Sequence, residues 1–402
     1  MLRGKSILLG VTGGIAAYKA AELIRLLDKQ GAMVQVVMTA AAQQFITPLT
    51  LQALSGRPVL TDLFDLGMES RIGHIQAARE ADLILVAPAT ANLLAKMAHG
   101  LADDYLSTVI LAATAPVIVC PAMNHVMYAN PATQDNLRLL KNRGVHVVEP
   151  QAGELACGEE GQGRLADLSL IVETAVRVLT PKSLQGKRVL VTAGPTWEPF
   201  DPVRFITNPS SGKMGFALAV EASRRGAHVD LVTGPTNLLD PPFLSTHRVK
   251  TALEMDRVVR DLAATADVIV MSAAVSDYRP EETAPQKVKK SDRDLTIRLI
   301  RTPDILAGVG AVKRADQVLV GFAAETENLI ENATEKLRKK NLDFIVANDL
   351  TRPGSGFRCD TNQVKILDRG GQVDTLPCLT KNEVARRILD RVETLLQKVD
   401  HE

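Results

Sequence analysis

The strongest constraint on this chain is a rhythm. Short apolar runs alternate with amphipathic stretches: SILLGV, MVQVVMT, DLILVAP, PVIVCPA and VHVVEP come first, then RVLVTAG, HVDLVTG, DVIVMSA, QVLVGFA and DFIVAND. Strands that are apolar on both faces and separated by helix-length segments specify an α/β fold whose mainly parallel sheet is covered by helices on both sides. Behind the first run, Ala20, Leu23, Ile24 and Leu27 recur at helical spacing, with Glu22, Arg25 and Asp28 between them. The basic start (Arg3, Lys5) followed by an apolar run has the outline of a secretory signal. The glycine turn and amphipathic helix that follow make a strand the better account.

The two sets of runs flank a short stretch with Pro, Ser and Gly at 180–187, so the expected organisation is a domain over 1–180, a linker over 181–186 and a domain over 187–402. The halves echo each other. Gly31-Ala32 before MVQVVMT is matched by Gly226-Ala227 before HVDLVTG, and ADLILVAPAT by ADVIVMSAAV. Two Rossmann-like units of one layout are expected.

Charge and composition narrow the partners. Lys and Arg number 47 against 46 Asp and Glu, too even a balance to neutralise many phosphates of a nucleic acid. With 9 Phe, 4 Tyr and 1 Trp, base-stacking platforms are also disfavoured. No apolar run approaches the roughly 20 residues of a membrane span. Cys120, Cys157, Cys359 and Cys378 are too few and too scattered for a disulfide framework. A cytoplasmic protein with small-molecule substrates is the expectation, without nucleic acid or membrane as partner.

In an open parallel sheet, ligands sit beyond the carboxyl ends of the strands, where GVTGGI (10–15) presents backbone N–H groups at a helix start. The loop lacks the full Gly-x-Gly-x-x-Gly spacing. The next strand ends at Thr39 rather than at an acidic residue, which favours a mononucleotide such as FMN over NAD. A tight turn is the plain alternative use of these glycines. Pro88 to Asn92 and Pro121 to Asn124 follow two further strands, and either segment can serve as a helix cap or as a ligand contact. His74 stands between two of these loops as a candidate base or as an ordinary helix-surface histidine. Cys157 lies among Gly153, Gly158, Gly161 and Gly163, a composition suited to a movable flap. Cys120, inside an apolar run, reads as packing.

The second half places Ser210-Ser211-Gly212-Lys213 before the helix GFALAVEASRRG, an anion-binding arrangement that is not a Walker A loop. Lys287, Lys289 and Lys290 precede LTIRL, which alternates like a strand, while Lys336 and Lys340 lie four apart on one helix face. Solvated basic faces are the bland account. Converging cations for a nucleoside triphosphate are the sharper one. Asp277 follows DVIVMS and is a candidate for Mg²⁺ or a ribose.

Taken together, GGIAAYK, His74, Pro88 to Asn92, PAMNHVMY (121–128) and the Cys157 segment resemble the flavin-containing cysteine decarboxylase family. The second half resembles phosphopantothenate-cysteine ligases, its usual fusion partner. The resemblance implies a bifunctional enzyme of coenzyme A biosynthesis. In its ligase half, 4'-phosphopantothenate attacks CTP to give an acyl-cytidylate and pyrophosphate, and the amine of cysteine then displaces CMP. Relatives outside the bacterial type use ATP. In the other half, FMN oxidises the thiol of phosphopantothenoylcysteine to a thioaldehyde, and CO₂ leaves with its electrons directed onto sulfur as an ene-thiolate. Reduced flavin and a proton donor complete 4'-phosphopantetheine.

Residue by residue, the resemblance assigns FMN contacts to Gly13, Gly14, Ile15, Thr39, Pro88, Thr90 and Asn92. His74 becomes base or orienting group, Asn124 the grip on the substrate carboxylate, and Cys157 the proton donor. Asn208 is assigned to the acyl substrate and Lys287 to the triphosphate and acyl phosphate. Asp277, Pro303, Asp304, Ile305, Phe322, Lys336 and Lys340 are assigned to CTP. Two departures stand out: PATANL where the family reads Pro-Ala-Ser-Ala-Asn-Thr, and Tyr128 where it has Trp. The family's flavin sites lie between subunits, which implies a homo-oligomer built from trimers and extending to dodecamers. The rival readings are a non-catalytic regulator and a two-domain nicotinamide oxidoreductase.

Overall fold

The computed structural model describes residues 2–64, 73–154, 158–290, 294–325, 328–349 and 359–399. The chain divides into two compact units, 1–180 and 181–402.

In the first unit, β1 (Ser6–Val11), β2 (Met33–Met38), β3 (Leu83–Ala89), β4 (Val117–Pro121) and β5 (His146–Val147) pair in parallel in the order β2-β1-β3-β4-β5. Alternate side chains of β1 serve two cores. Ile7, Leu9 and Val11 face the helices Ala20–Lys29 and Leu168–Leu179, whereas Leu8 faces the helices Ala91–His99, Tyr105–Ala112 and Pro131–Asn142. Burial on both faces is why these runs carry no polar alternation. Ala20, Leu23, Ile24 and Leu27 are all buried, as their spacing predicts. The chain reverses direction across the sheet between β1 and β3, which opens a crevice at their carboxyl ends. The glycine-rich segment forms an antiparallel pair, β6 (Gln151–Glu154) and β7 (Glu160–Arg164).

The second unit follows the same plan with a longer sheet. Its strands are β8 (Arg188–Ala193), β9 (Trp197–Pro199), β10 (Phe205–Thr207), β11 (His228–Thr233), β12 (Ser245–Arg248), β13 (Val268–Met271), β14 (Tyr278–Pro280), β15 (Leu299–Arg301), β16 (Val318–Glu325), β17 (Phe344–Asp349), β18 (Thr361–Asn362), β19 (Val364–Asp368), β20 (Val373–Thr375) and β21 (Leu379–Thr380). Among the described residues the main sheet runs β12-β11-β8-β13-β16-β17-β19-β20, parallel except for β19 and β20 at one edge. The helices Lys213–Arg224 and Lys381–Val399 cover one face. The helices Ala252–Ala263, Ile305–Ala311 and Leu329–Lys339 cover the other. Both units therefore have the α/β architecture with mainly parallel sheets that the rhythm predicts.

One expectation shifts. The alternating stretch LTIRL at 295–299 is not the strand; β15 begins at Leu299. Its partner decides the register, because Tyr278, Arg279 and Pro280 of β14 pair with Arg301, Ile300 and Leu299. Alternation marks a segment able to pair, and the neighbour selects which residues do so.

Candidate functional site

In the first unit the loops after β1 and β3 are tied together by one hydroxyl. Thr12 Oγ1 donates to Pro88 O at 2.8 Å and accepts from Thr90 N at 3.0 Å. Thr90 Oγ1 in turn accepts from Leu93 N, capping the helix Ala91–His99. Position 93 carries Leu where the family pattern has Thr, and Leu93 is buried in the core. Gly13 lies so close to the next loop that a Cβ there would sit 2.4 Å from Ala41 Cβ, so the backbone can pass only as glycine. Gly14 and Ile15 face open space instead: a Cβ on Gly14 would meet only Thr90 Cγ2, at 3.9 Å, and Ile15 is 62% exposed. Thr39 is half-buried at the end of β2, Pro88 is buried, and Asn92 is exposed. These loops share the carboxyl edge of the sheet, which fits a phosphate-bearing planar ligand lying across the crevice.

His74 lies on the helix Gly73–Glu80, half-buried, and its Nδ1 is buried without a hydrogen-bond partner among the described residues. An unpaired buried ring nitrogen is costly and points to a partner supplied from outside. Asn124 combines the two uses left open for it. Its Oδ1 caps the short helix His125–Ala129 by accepting from Val126 N at 2.8 Å, while its Nδ2 donates to Glu159 Oε2 at 2.9 Å. The amide thus already holds a carboxylate, one that belongs to the segment following Cys157. Cys157 itself lies outside the described residues. Tyr128, the departure from Trp, is buried and its hydroxyl donates to Glu149.

In the second unit a cavity of about 680 Å³ gathers residues from widely separated segments. Asn208, Asp277, Pro303, Asp304, Ile305, Phe322, Lys336 and Lys340 all line it. Asn208 Nδ2 donates to Ala274 O at 3.2 Å and Val275 O at 3.1 Å, which fixes its carboxamide beside the loop after β13. Asp304 caps the helix Ile305–Ala311 and accepts from Lys340 Nζ at 2.9 Å. Partial burial alone would raise the Asp304 carboxyl, but the Ala307 N–H and Lys340 outweigh it and hold it below the usual carboxylate range. Asp277 is exposed, and its carbonyl accepts from Thr302 N. Among the described residues no group of three or more His, Cys, Asp or Glu is placed to hold a metal ion.

Lys287 is exposed and is not among the residues lining the cavity. Its backbone is nonetheless held. The buried carboxylate of Asp201 accepts from Val203 N, from Arg204 N and Nε, and from Val288 N at 3.1 Å, while Arg204 Nη2 donates to Val288 O at 2.6 Å. Burial alone would push the Asp201 carboxyl up; the guanidinium and the backbone donors hold it far below its ordinary value. With the folded value depressed, the stabilisation is fully present above the unfolded value of about 3.9 and is lost as pH falls through the folded one. Asp201→Asn should therefore flatten the acid limb of the unfolding profile and loosen the Lys287 segment. Urea unfolding measured between neutral and strongly acid pH checks this, and an unchanged acid limb would count against it.

Three residues that sequence reasoning did not single out also line the cavity: Asn348, Asn362 and Lys381. The only local signal at Lys381 was the capping pattern Thr380-Lys381-Asn382-Glu383, in which Glu383 N donates to Thr380 Oγ1 and Thr380 N to Glu383 Oε2. That pattern announces a helix start but not what the helix start faces. Burial, and then the neighbouring charge of Lys213, lower the Lys381 ammonium below its usual range.

Comparison with known proteins covers both units. Residues 1–180 match the flavoprotein family, and residues 184–396 match the DNA/pantothenate metabolism flavoprotein C-terminal domain. The coenzyme A biosynthesis bifunctional protein CoaBC of Vibrio cholerae is 50% identical over 390 residues, spanning 96% of this chain and 98% of the relative. The protein of the same description from Escherichia coli is 48% identical over 397 residues, 98% of each chain. That from Bacillus subtilis is 47% identical over 399 residues, again 98% of each.

Proposed function

This chain belongs to the family of bifunctional coenzyme A biosynthesis proteins, and from that membership we infer that its units carry successive steps of one synthesis. It is an enzyme with phosphopantothenate-cysteine ligase and phosphopantothenoylcysteine decarboxylase activities. The decarboxylase belongs to 1–180 and the ligase to 187–402, joined by 181–186. The observation that carries the ligase reading is the convergence of Asn208, Asp277, Phe322, Lys336 and Lys340 on one cavity.

In the ligase unit, 4'-phosphopantothenate, cysteine and CTP are the substrates. Activation is required because a free carboxylate is a poor acyl acceptor for an amine. Lys336 and Lys340, with Lys287 brought in from its exposed segment, offset phosphate charge as it develops. Asn208 orients the acyl group, and Pro303, Asp304, Ile305 and Phe322 form the wall for the nucleoside. Mg²⁺ arrives on the nucleotide phosphates, with Asp277 as its candidate protein contact, since the described residues offer no pre-built cluster.

In the decarboxylase unit the crevice over β1 and β3 fits FMN, with Gly13, Gly14, Ile15, Thr39, Pro88, Thr90 and Asn92 as its contacts. Bound FMN supplies the reversible electron acceptor that lets the substrate thiol be oxidised before CO₂ is lost. Asn124 Nδ2 exchanges Glu159 for the substrate carboxylate. His74 takes or orients the thiol proton, and Cys157 returns one at the end. Ile15, Tyr18, Val126 and Met127 are exposed apolar side chains around these loops, which supports a homo-oligomer in which another copy covers the flavin, a trimer within a larger assembly. No helix among the described residues is long and apolar enough to cross a membrane, in keeping with a cytoplasmic enzyme.

Purified protein should be yellow with a bound-flavin spectrum, and should release pyrophosphate only when CTP, 4'-phosphopantothenate and cysteine are all present. Equal turnover with ATP in place of CTP would overturn the nucleotide assignment. A colourless folded protein that added FMN does not reconstitute would overturn the decarboxylase assignment.

A further inference from the structure

We propose that Lys381, Lys213 and Asn362 form a phosphoryl-binding subsite at the start of the helix Lys213–Arg224, within the ligase cavity but separate from Lys336 and Lys340. It rests on the ligase reading above and adds residues to which that reading gives no role.

Four observations converge. First, Lys381 is only 7% exposed, yet it lines a cavity together with Lys213. Among the described residues, the acid that both are held against is Asp360, which accepts from Lys213 Nζ at 2.6 Å and whose carbonyl accepts from Lys381 N at 3.0 Å. Its side chain is 86% exposed. Two ammonium groups thus share one solvent-facing carboxylate, an arrangement that repels itself unless an anion joins it. Second, the helix behind Lys213 has twelve residues, and its N-cap is Gly212 at φ 78°, with no side chain capping the first turn and no acidic residue in it. Its first N–H groups and the positive end of its dipole are left to whatever occupies the cavity.

Third, Asn362 is 4% exposed, lines the same cavity, and its Oδ1 is buried without a partner. A half-turn of the carboxamide exchanges oxygen and nitrogen without changing its shape, which sets a donor at that position for a phosphoryl oxygen. Fourth, the arrangement is built by pairing: β18 joins β21 through Thr361↔Thr380 and Asn362↔Leu379, which brings Asn362 next to the helix start that carries Lys381. The helices bearing Lys213 and Lys381 pack on one face of the sheet, and those bearing Lys336 and Asp304 pack near the other. The cavity thus receives cations from both faces.

A phosphoryl group can reach this subsite from two sources, the pyrophosphate end of the nucleotide or the phosphomonoester of 4'-phosphopantothenate. Binding of inorganic pyrophosphate and of 4'-phosphopantothenate to the full-length protein, measured separately by calorimetry and as KM or inhibition constant, distinguishes them. Lys381→Met should weaken one of the two by about ten- to a hundredfold, the range of a lost charge-assisted hydrogen bond, and Lys381→Arg should restore much of it. Asn362→Asp, which keeps the shape and adds a negative charge, should weaken the same arm. Decarboxylation of supplied phosphopantothenoylcysteine and the thermal unfolding curve report whether each variant is folded. Loss confined to pyrophosphate assigns the subsite to the nucleotide, and loss confined to 4'-phosphopantothenate assigns it to the acyl substrate. Unchanged affinity for both probes in folded Lys381→Met and Asn362→Asp, even with a lowered kcat, overturns the subsite. Wild-type protein that binds a probe through these residues but catalyses no ligation would sink the ligase reading and leave the subsite standing.

Discussion

Replacing His74 with asparagine is expected to slow decarboxylation by about 10² to 10⁴, the range for a lost general acid or base, while ligation in the same preparation keeps its rate. Asparagine preserves a hydrogen-bonding group of similar reach to Nδ1 but cannot exchange a proton near neutral pH. The imidazole nitrogen now buried without a partner on the helix Gly73–Glu80 is the group that the substrate would meet. Release of CO₂ from supplied phosphopantothenoylcysteine gives the rate, and the flavin spectrum shows whether cofactor is still bound. A variant with normal spectrum and normal rate would return His74 to the ordinary helix-surface histidines.

The second large effect is expected from Lys287→Gln, which should lower pyrophosphate release by about 10² to 10³, comparable to removing one donor aimed at developing charge. Decarboxylation should be untouched. Lys287 is exposed, so the substitution carries little folding cost of its own, and the clamp of Asp201 and Arg204 on Val288 keeps the segment in place. A loss of ligation can therefore be read as a loss of charge at the substrate. Pyrophosphate release at the wild-type rate would remove Lys287 from the site.

Much of this molecule was legible before any coordinate. The helix carrying Ala20, Leu23, Ile24 and Leu27, and the strands buried on both faces, follow from periodicity because each pattern has one way to hide its apolar side chains. Cys120 was expected to be packing, and it is fully buried, with burial pushing its thiol far above the usual range. The candidate loops were found by position, since the strands preceding them predict where a parallel sheet presents its carboxyl edge.

What escaped is long-range. Asn362 and Lys381 reach the cavity through a two-residue strand pair, and no local window of sequence contains both them and Lys213. The strand at 299–301 was misplaced for the same reason, because its register belongs to its partner. Asn124 was posed as either a cap or a ligand contact. A carboxamide has two ends, and the structure uses one for each neighbour.

The division of one polypeptide into two units with separate sheets and separate cores has a consequence for the cell's accounting of catalysts. Every translated copy delivers one ligating and one decarboxylating centre, so their ratio is invariant to promoter strength, message decay or dilution at division. A change in flux through the pair must then come from turnover or inhibition, because unequal dosage of the two activities is not available to an intact chain.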